Sequence, residues 1–92
     1  MNLGALGLAY RAKKIVLGTD EVVASLQKGE LYLVLLANDA GPNTKKKISD
    51  KTKTYQVELN EQFSSLELNK ALGRENVKVI GIKDKGFSML LK

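Results

Sequence analysis

Leu31-Tyr32-Leu33-Val34-Leu35-Leu36 is an unbroken apolar run, and its reading decides the fold. A strand with one wet face alternates apolar and polar side chains, whereas a strand covered on both faces is apolar throughout. The run therefore predicts a central strand with helices above and below, with Tyr32 in the core. Ala37-Asn38-Asp39-Ala40-Gly41 is the loop that leaves it. Pro42 suits the first position of the next helix, where a missing N–H costs nothing. That helix is expected to run to about Lys53 with Ile48 inward. Asn43-Thr44 at its start reads as capping chemistry rather than as a site.

Upstream, Ile15-Val16-Leu17 reads as a short strand. Gly18 turns it into a helix over 19–28, with Val22, Val23 and Leu26 inward and Gly29 as the stop. Before that, Leu3, Leu6 and Tyr10 recur at helical spacing and predict a helix over 2–12. Gly4 and Gly7 weaken it by about 1 kcal/mol each relative to alanine, and permit close packing on a neighbour. Downstream, Tyr55-Gln56-Val57-Glu58-Leu59 alternates as a strand should. Ser64 or Ser65 can cap a helix with Leu68, Ala71 and Leu72 inward, ended by Gly73. Residues 77–82 predict a last strand, and 84–91 a closing helix with Phe87, Leu90 and Leu91 inward. Tyr10 and Phe87, like Tyr32, read as core. Strands alternating with helices over 92 residues predict one α/β layered domain.

Composition narrows the chemistry. There is no histidine and no cysteine, so histidine-based nucleophile pairs, disulfides and thiolate or imidazole metal sites are excluded. The acids are scattered singly apart from Asp20-Glu21, and no catalytic carboxylate pair stands out, so an enzyme is not expected. No apolar run approaches membrane-spanning length. The apolar start is followed rather than preceded by basic residues, the wrong order for a signal peptide.

The net charge is +5, and it is clustered. Arg11, Lys13 and Lys14 face no acid before Asp20, and Lys45, Lys46, Lys47, Lys51 and Lys53 stand against Asp50 alone. Such clusters supply sequence-independent affinity for nucleic acid, although successive lysines on a helix cannot share one face. The candidate site is the helix start Gly18-Thr19-Asp20-Glu21, with Lys14 from the cluster upstream. Helix N-termini expose unpaired N–H groups and a partial positive charge that attract anions. Here they also present side chains able to meet base edges.

The order of motifs resembles the kink-turn-binding ribosomal protein family, of the large-subunit seven-Ae and thirty-e type with its small bacterial YlxQ-type members. The resemblance is carried by Leu8-Ala9-Tyr10-Arg11-Ala12-Lys13-Lys14, Gly18-Thr19-Asp20-Glu21-Val22, Lys28-Gly29, Leu35-Leu36-Ala37-Asn38-Asp39-Ala40, Asn43-Thr44-Lys45-Lys46-Lys47, Leu72-Gly73-Arg74 and Ile82-Lys83-Asp84-Lys85-Gly86-Phe87. It implies a three-layer α/β/α sandwich around a four-stranded mixed sheet. It also implies recognition of a kink-turn, an RNA internal loop with sheared G·A pairs, by the glycine-led helix start. In such proteins an asparagine and a glutamate there meet guanine edges, a lysine one turn later adds a contact, and a second loop packs on a flipped-out nucleotide.

Carried over by that resemblance, Gly18, Thr19 and Glu21 match the recognition motif, and Arg74, Glu75, Asn76 and Val77 occupy the second RNA-facing loop. The chain departs at Asp20, which takes the asparagine position, and at Ala24, which takes the lysine position. Val16 and Leu17 stand where archaeal members are often basic, and Asn69 where many relatives have glycine. Aspartate accepts but does not donate, so the lost donor and lost lysine each cost recognition on the order of 1–3 kcal/mol.

The expected function is thus a non-enzymatic RNA-binding protein, ribosome-associated and cytoplasmic. It is expected to be a monomer, with ribosomal or other structured RNA as partner, no membrane, no metal and no cofactor. Two alternatives stay open. One is an RNA-recognition module of a larger RNA-processing assembly, like the substrate-recognition domains of RNA methyltransferases. The other is a protein-interaction domain whose RNA site has decayed.

Overall fold

The computed structural model describes residues 3–92, so the predicted helical residue Asn2 lies outside the described residues. Five helices alternate with four strands: α1 (Gly4–Arg11), β1 (Ile15–Leu17), α2 (Thr19–Gln27), β2 (Leu33–Leu36), α3 (Pro42–Tyr55), β3 (Glu58–Asn60), α4 (Ser65–Leu72), β4 (Val79–Ile82) and α5 (Lys85–Leu91).

The strands lie in the order β1-β4-β2-β3. β4 runs antiparallel to both neighbours, placing Ile15 and Leu33 on either side of Ile82. β2 and β3 are parallel, joined through α3. α2 packs on α3, β1 and β4, and α3 on β2 and β3, while α1 packs against α4 and α5 on the other layer. The result is the expected α/β/α sandwich over a mixed sheet. Every residue of β2 and of β4 is buried, as the continuous apolar run requires of a strand covered on both faces. Among the described residues no helix is long and apolar enough to cross a membrane.

Several expectations need correction. Tyr55 belongs to no strand: α3 continues through it, and Gln56 closes the helix in the left-handed conformation (φ 58°). The alternation at 55–59 is therefore shared between a helix end and the short edge strand β3. Leu31 is buried but precedes β2, and Tyr32 is 52% exposed at the end of the sheet. Leu90 is also exposed, because consecutive residues of α5 lie about 100° apart and Leu91 takes the inward position. In α1 the buried residues are Ala5, Leu6 and Ala9, with Leu3 and Tyr10 only packed alongside; Val23 is likewise half-buried. The α3 start is flanked by Gly41 with no side-chain cap, so Asn43 and Thr44 do not cap it. A Cβ on Gly7 would lie 3.0 Å from the Ala71 carbonyl, so this glycine permits the close α1–α4 contact that its small size suggested.

Candidate nucleic-acid interface

Gly18 ends β1 by donating its N–H to the Val79 carbonyl (3.0 Å), and its own carbonyl accepts the first helical bond, from Val22 (3.0 Å). Its φ of 95° with ψ of 154° is a conformation that essentially only glycine adopts. No side chain caps α2, and none caps α3. By contrast Ser64 and Glu67 form a full capping box on α4, and Asp84 caps α5. α1 is also uncapped, but it is the α2 and α3 starts that meet. Gly18 and Thr19 from α2 and Thr44 from α3 line one open depression of about 350 Å³, whose other wall is Arg74, Glu75, Asn76, Val77 and Lys78. Two positive helix ends and two cations thus surround a hollow opened toward solvent.

The far wall is built to hold its shape. The Asn69 main-chain carbonyl accepts from the N–H groups of Gly73 (2.8 Å) and Arg74 (3.0 Å). Its side-chain amide donates to the carbonyls of Ser65 (2.7 Å) and Val77 (3.0 Å) and accepts from the Val77 N–H (3.0 Å). One residue therefore grips both ends of the 74–76 turn, within which Asn76 is left-handed (φ 62°). Val77 is buried, and the Arg74 guanidinium donates to the Tyr10 hydroxyl (3.0 Å). Tyr10 is thus a half-buried buttress rather than pure core. A second hollow of about 460 Å³ lies across the turn, against Asn69 and Lys70, so residues 74–76 stand as a ridge between two concavities.

Asp39 anchors α4 from below. Its carboxylate accepts from the Ser65 N–H (2.8 Å) and hydroxyl (2.6 Å). The Ser65 hydroxyl chiefly, then the Ser65 N–H, hold the Asp39 carboxyl below its ordinary pKa, with Lys78 adding a smaller pull. The β2 exit loop, the α4 start and the ridge are in this way one connected unit.

Of the sequence-predicted residues, the structure brings Gly18, Thr19, Arg74, Glu75, Asn76 and Val77 to one hollow. Asp20 and Glu21 are exposed on the first turn of α2 beside it. Lys14 is not brought there. Its carbonyl accepts from the Lys83 N–H (2.7 Å), which sets it at the opposite end of β1, about 13 Å from Gly18 at the usual rise of a strand. Sequence reasoning missed Thr44 and Lys78, which line the hollow; Lys47, named there only as one of the clustered lysines, has its ammonium 3.8 Å from the Asp20 carboxylate. Only the helical spacing of Thr44 and Lys47 hinted that these two share a side of α3. Among the described residues no cluster of three or more potential metal ligands occurs.

A model of the ribosomal protein L7Ae/L30e/S12e/Gadd45 family matches residues 3–92. The chain is 41% identical over 92 residues to the RNA-binding protein YlxQ of Enterococcus faecium, covering 100% of this chain and 86% of that protein. It is 40% identical over 83 residues to the RNA-binding protein YlxQ of Bacillus subtilis (strain 168), covering 90% and 83%. A solved structure of a Bacillus halodurans protein of unknown function superposes with a TM-score of 0.92 at 43% identity, over 97% of this chain and 90% of the other. The Giardia lamblia 15.5kD RNA binding protein shares the fold, with a TM-score of 0.83 at 18% identity over 97% and 77% of the two chains. The chain belongs to the ribosomal protein L7Ae/L30e/S12e/Gadd45 family.

Proposed function

We propose that this protein is a non-enzymatic RNA-binding protein that recognises structured, kink-turn-like RNA through the α2 start and the 74–77 ridge, in the cytoplasm, as a monomer associated with the ribosome. The observation that carries the reading is the convergence of Gly18 and Thr19 with Arg74–Val77 on one hollow, in a chain whose relatives are named RNA-binding proteins. Uncapped helix starts and the Lys78 and Arg74 cations suit phosphates. Glu21 is the base-edge acceptor for guanine N–H groups. A gel-shift titration with a kink-turn RNA and a control whose G·A pairs are disrupted tests it. Preferential binding of the kink-turn is expected, and equal weak binding of both would leave electrostatics only.

A second reading is a module of a larger RNA-processing assembly with weakened kink-turn specificity. The Asp20 carboxylate favours it, because it removes a base-edge donor and places a negative charge on Lys47. Stable co-purification of an enzyme partner, together with poor discrimination between the two RNAs, is the outcome this reading requires.

A further inference from the structure

The three adjacent strands β1, β4 and β2 share an end, where β1 and β2 begin and β4 finishes. Three residues lie side by side there, just outside the strands. Lys83 donates its N–H to the Lys14 carbonyl (2.7 Å), and Tyr32 donates its N–H to the Ile82 carbonyl (2.9 Å). Adjacent strands are spaced about 4.8 Å apart, so Lys14, Lys83 and Tyr32 form one contiguous row. All three are exposed, Tyr32 at 52% despite its place in an apolar run.

Arg11 and Lys13 flank the row at the end of α1, and both are exposed. Lys13 holds a left-handed backbone (φ 59°), a position where glycine or asparagine sits more easily. The acids nearest in sequence are Glu30 and Asp84. The Asp84 carboxylate is occupied in accepting the Phe87 N–H (2.9 Å). Among the described residues none of Arg11, Lys13, Lys14 and Lys83 forms an ion pair.

We infer that this end of the sheet is a second RNA-binding surface, separate from the Gly18 hollow, that takes a single-stranded segment without reading its sequence. Unpaired cations at strand spacing hold backbone phosphates, and the exposed Tyr32 ring offers a stacking face for one unpaired base. An acidic protein would use the cations but has no need of an exposed ring beside them. With the Gly18 hollow at the other end of β1, the protein then holds two RNA segments at opposite poles of a body 28 × 25 × 20 Å across.

The test uses a fluorescent oligouridylate of about 15 nucleotides, long enough for a single-strand groove and lacking any kink-turn. Each lost phosphate contact removes about 0.7 from the slope of log K against log salt for single strands, so Lys14→Ala/Lys83→Ala is expected to bind about 25-fold more weakly at about 0.1 M salt, with a correspondingly shallower slope. Tyr32→Ala is expected to lose at least about 5-fold, and Tyr32→Phe to keep wild-type affinity. Glu21→Ala is expected to bind the oligouridylate as the wild type does, which separates this surface from the proposed kink-turn site. Backbone amide shifts on titration are expected at Lys14, Tyr32 and Lys83. A double lysine variant, folded by circular dichroism, that keeps the wild-type slope overturns the inference. So do amide shifts confined to the Gly18 end, or binding of polyglutamate but not of RNA at this surface. A Tyr32→Phe variant as weak as Tyr32→Ala removes the stacking role.

Discussion

Lys47 of α3 and Asp20 of α2 face each other with 3.8 Å between ammonium and carboxylate, the Asp20 side chain being 95% exposed. So open a pair contributes about 0–1 kcal/mol to folding. On the proposed RNA-binding reading its consequence lies in binding, because Asp20 holds a cation that is then less available to an RNA phosphate. Asp20→Asn frees Lys47 and restores a base-edge donor. A tighter complex with kink-turn RNA is expected, by on the order of 1–3 kcal/mol for the donor, with little gain for the G·A-disrupted control. Titration of both RNAs measures it, and unchanged affinity for the kink-turn would show that neither effect operates.

Glu21 carries the sharpest claim about readout. Glu21→Ala is expected to cost on the order of 1–3 kcal/mol of discrimination between kink-turn and control RNA. It should cost no more than about 1 kcal/mol of stability, the value of an acid in a first helical turn. A binding assay paired with a thermal melt separates the two. Loss of affinity with an equal loss of melting temperature would mean that the effect is structural.

Gly18→Ala isolates backbone strain, because an added Cβ there meets nothing within 4 Å. The φ of 95° alone sets the cost, expected at about 1–3 kcal/mol. For a domain of this size that lowers the melting temperature by about 4–8 °C per kcal/mol. A wild-type melt would mean that the turn relaxes to another conformation without penalty.

Asn69→Ala removes the side-chain hydrogen bonds to Ser65 and Val77. At about 0.5–1.5 kcal/mol for each of the three bonds, a stability loss of about 1.5–4.5 kcal/mol is expected. Hydrogen exchange should quicken at the Val77 amide far more than at β2. RNA affinity should fall although Asn69 itself need touch no RNA, since the ridge would have to be ordered on binding. Protection of Val77 equal to that of the wild type would remove the clamp from the account.

Asp39 predicts a pH effect. Its folded-state pKa lies below the ordinary value because Ser65 donates to the charged form. The stability it contributes is therefore present above the unfolded pKa, near 3.9, and is lost as pH falls through the lower folded value. Asp39→Asn is expected to be less stable than the wild type at neutral pH, and to show a smaller stability loss between about pH 5 and pH 2. Parallel acid-unfolding curves for the two proteins are incompatible with this assignment.

Most of the fold was legible because few alternatives fit Leu33–Leu36, an apolar run of strand length that buries on both faces, and because the shorter run Ile15–Leu17 ends at Gly18 and forms a half-buried edge strand. The errors fall where two periods overlap. Tyr55-Gln56-Val57-Glu58-Leu59 satisfies alternation, yet Tyr55 also follows Ile48 by two helical turns, and α3 continues through it until Gln56 turns left-handed. Tyr32 and Leu90 were misplaced because apolarity marks what may be buried and says nothing of where a sheet or helix stops. At the site, the local motif at 18–21 was readable, but the meeting of Thr44, Lys47 and Lys78 with it is a property of the α2–α3 pair and of the β4 approach. No spacing along the chain encodes that. Lys14 shows the converse, being near Gly18 in sequence and a strand's length away in space.

β4 is the last strand in the chain and sits between β1 and β2. During synthesis β1 has no partner until Val79–Ile82 has emerged, while β2 and β3 can pair on their own. Such long-range closure delays completion of the sheet until β4 has been synthesised. A nascent chain arrested before Val79 would hold the α2 start without the carbonyl that seats Gly18. The turn at Gly18 is thereby left unseated until Val79 has emerged.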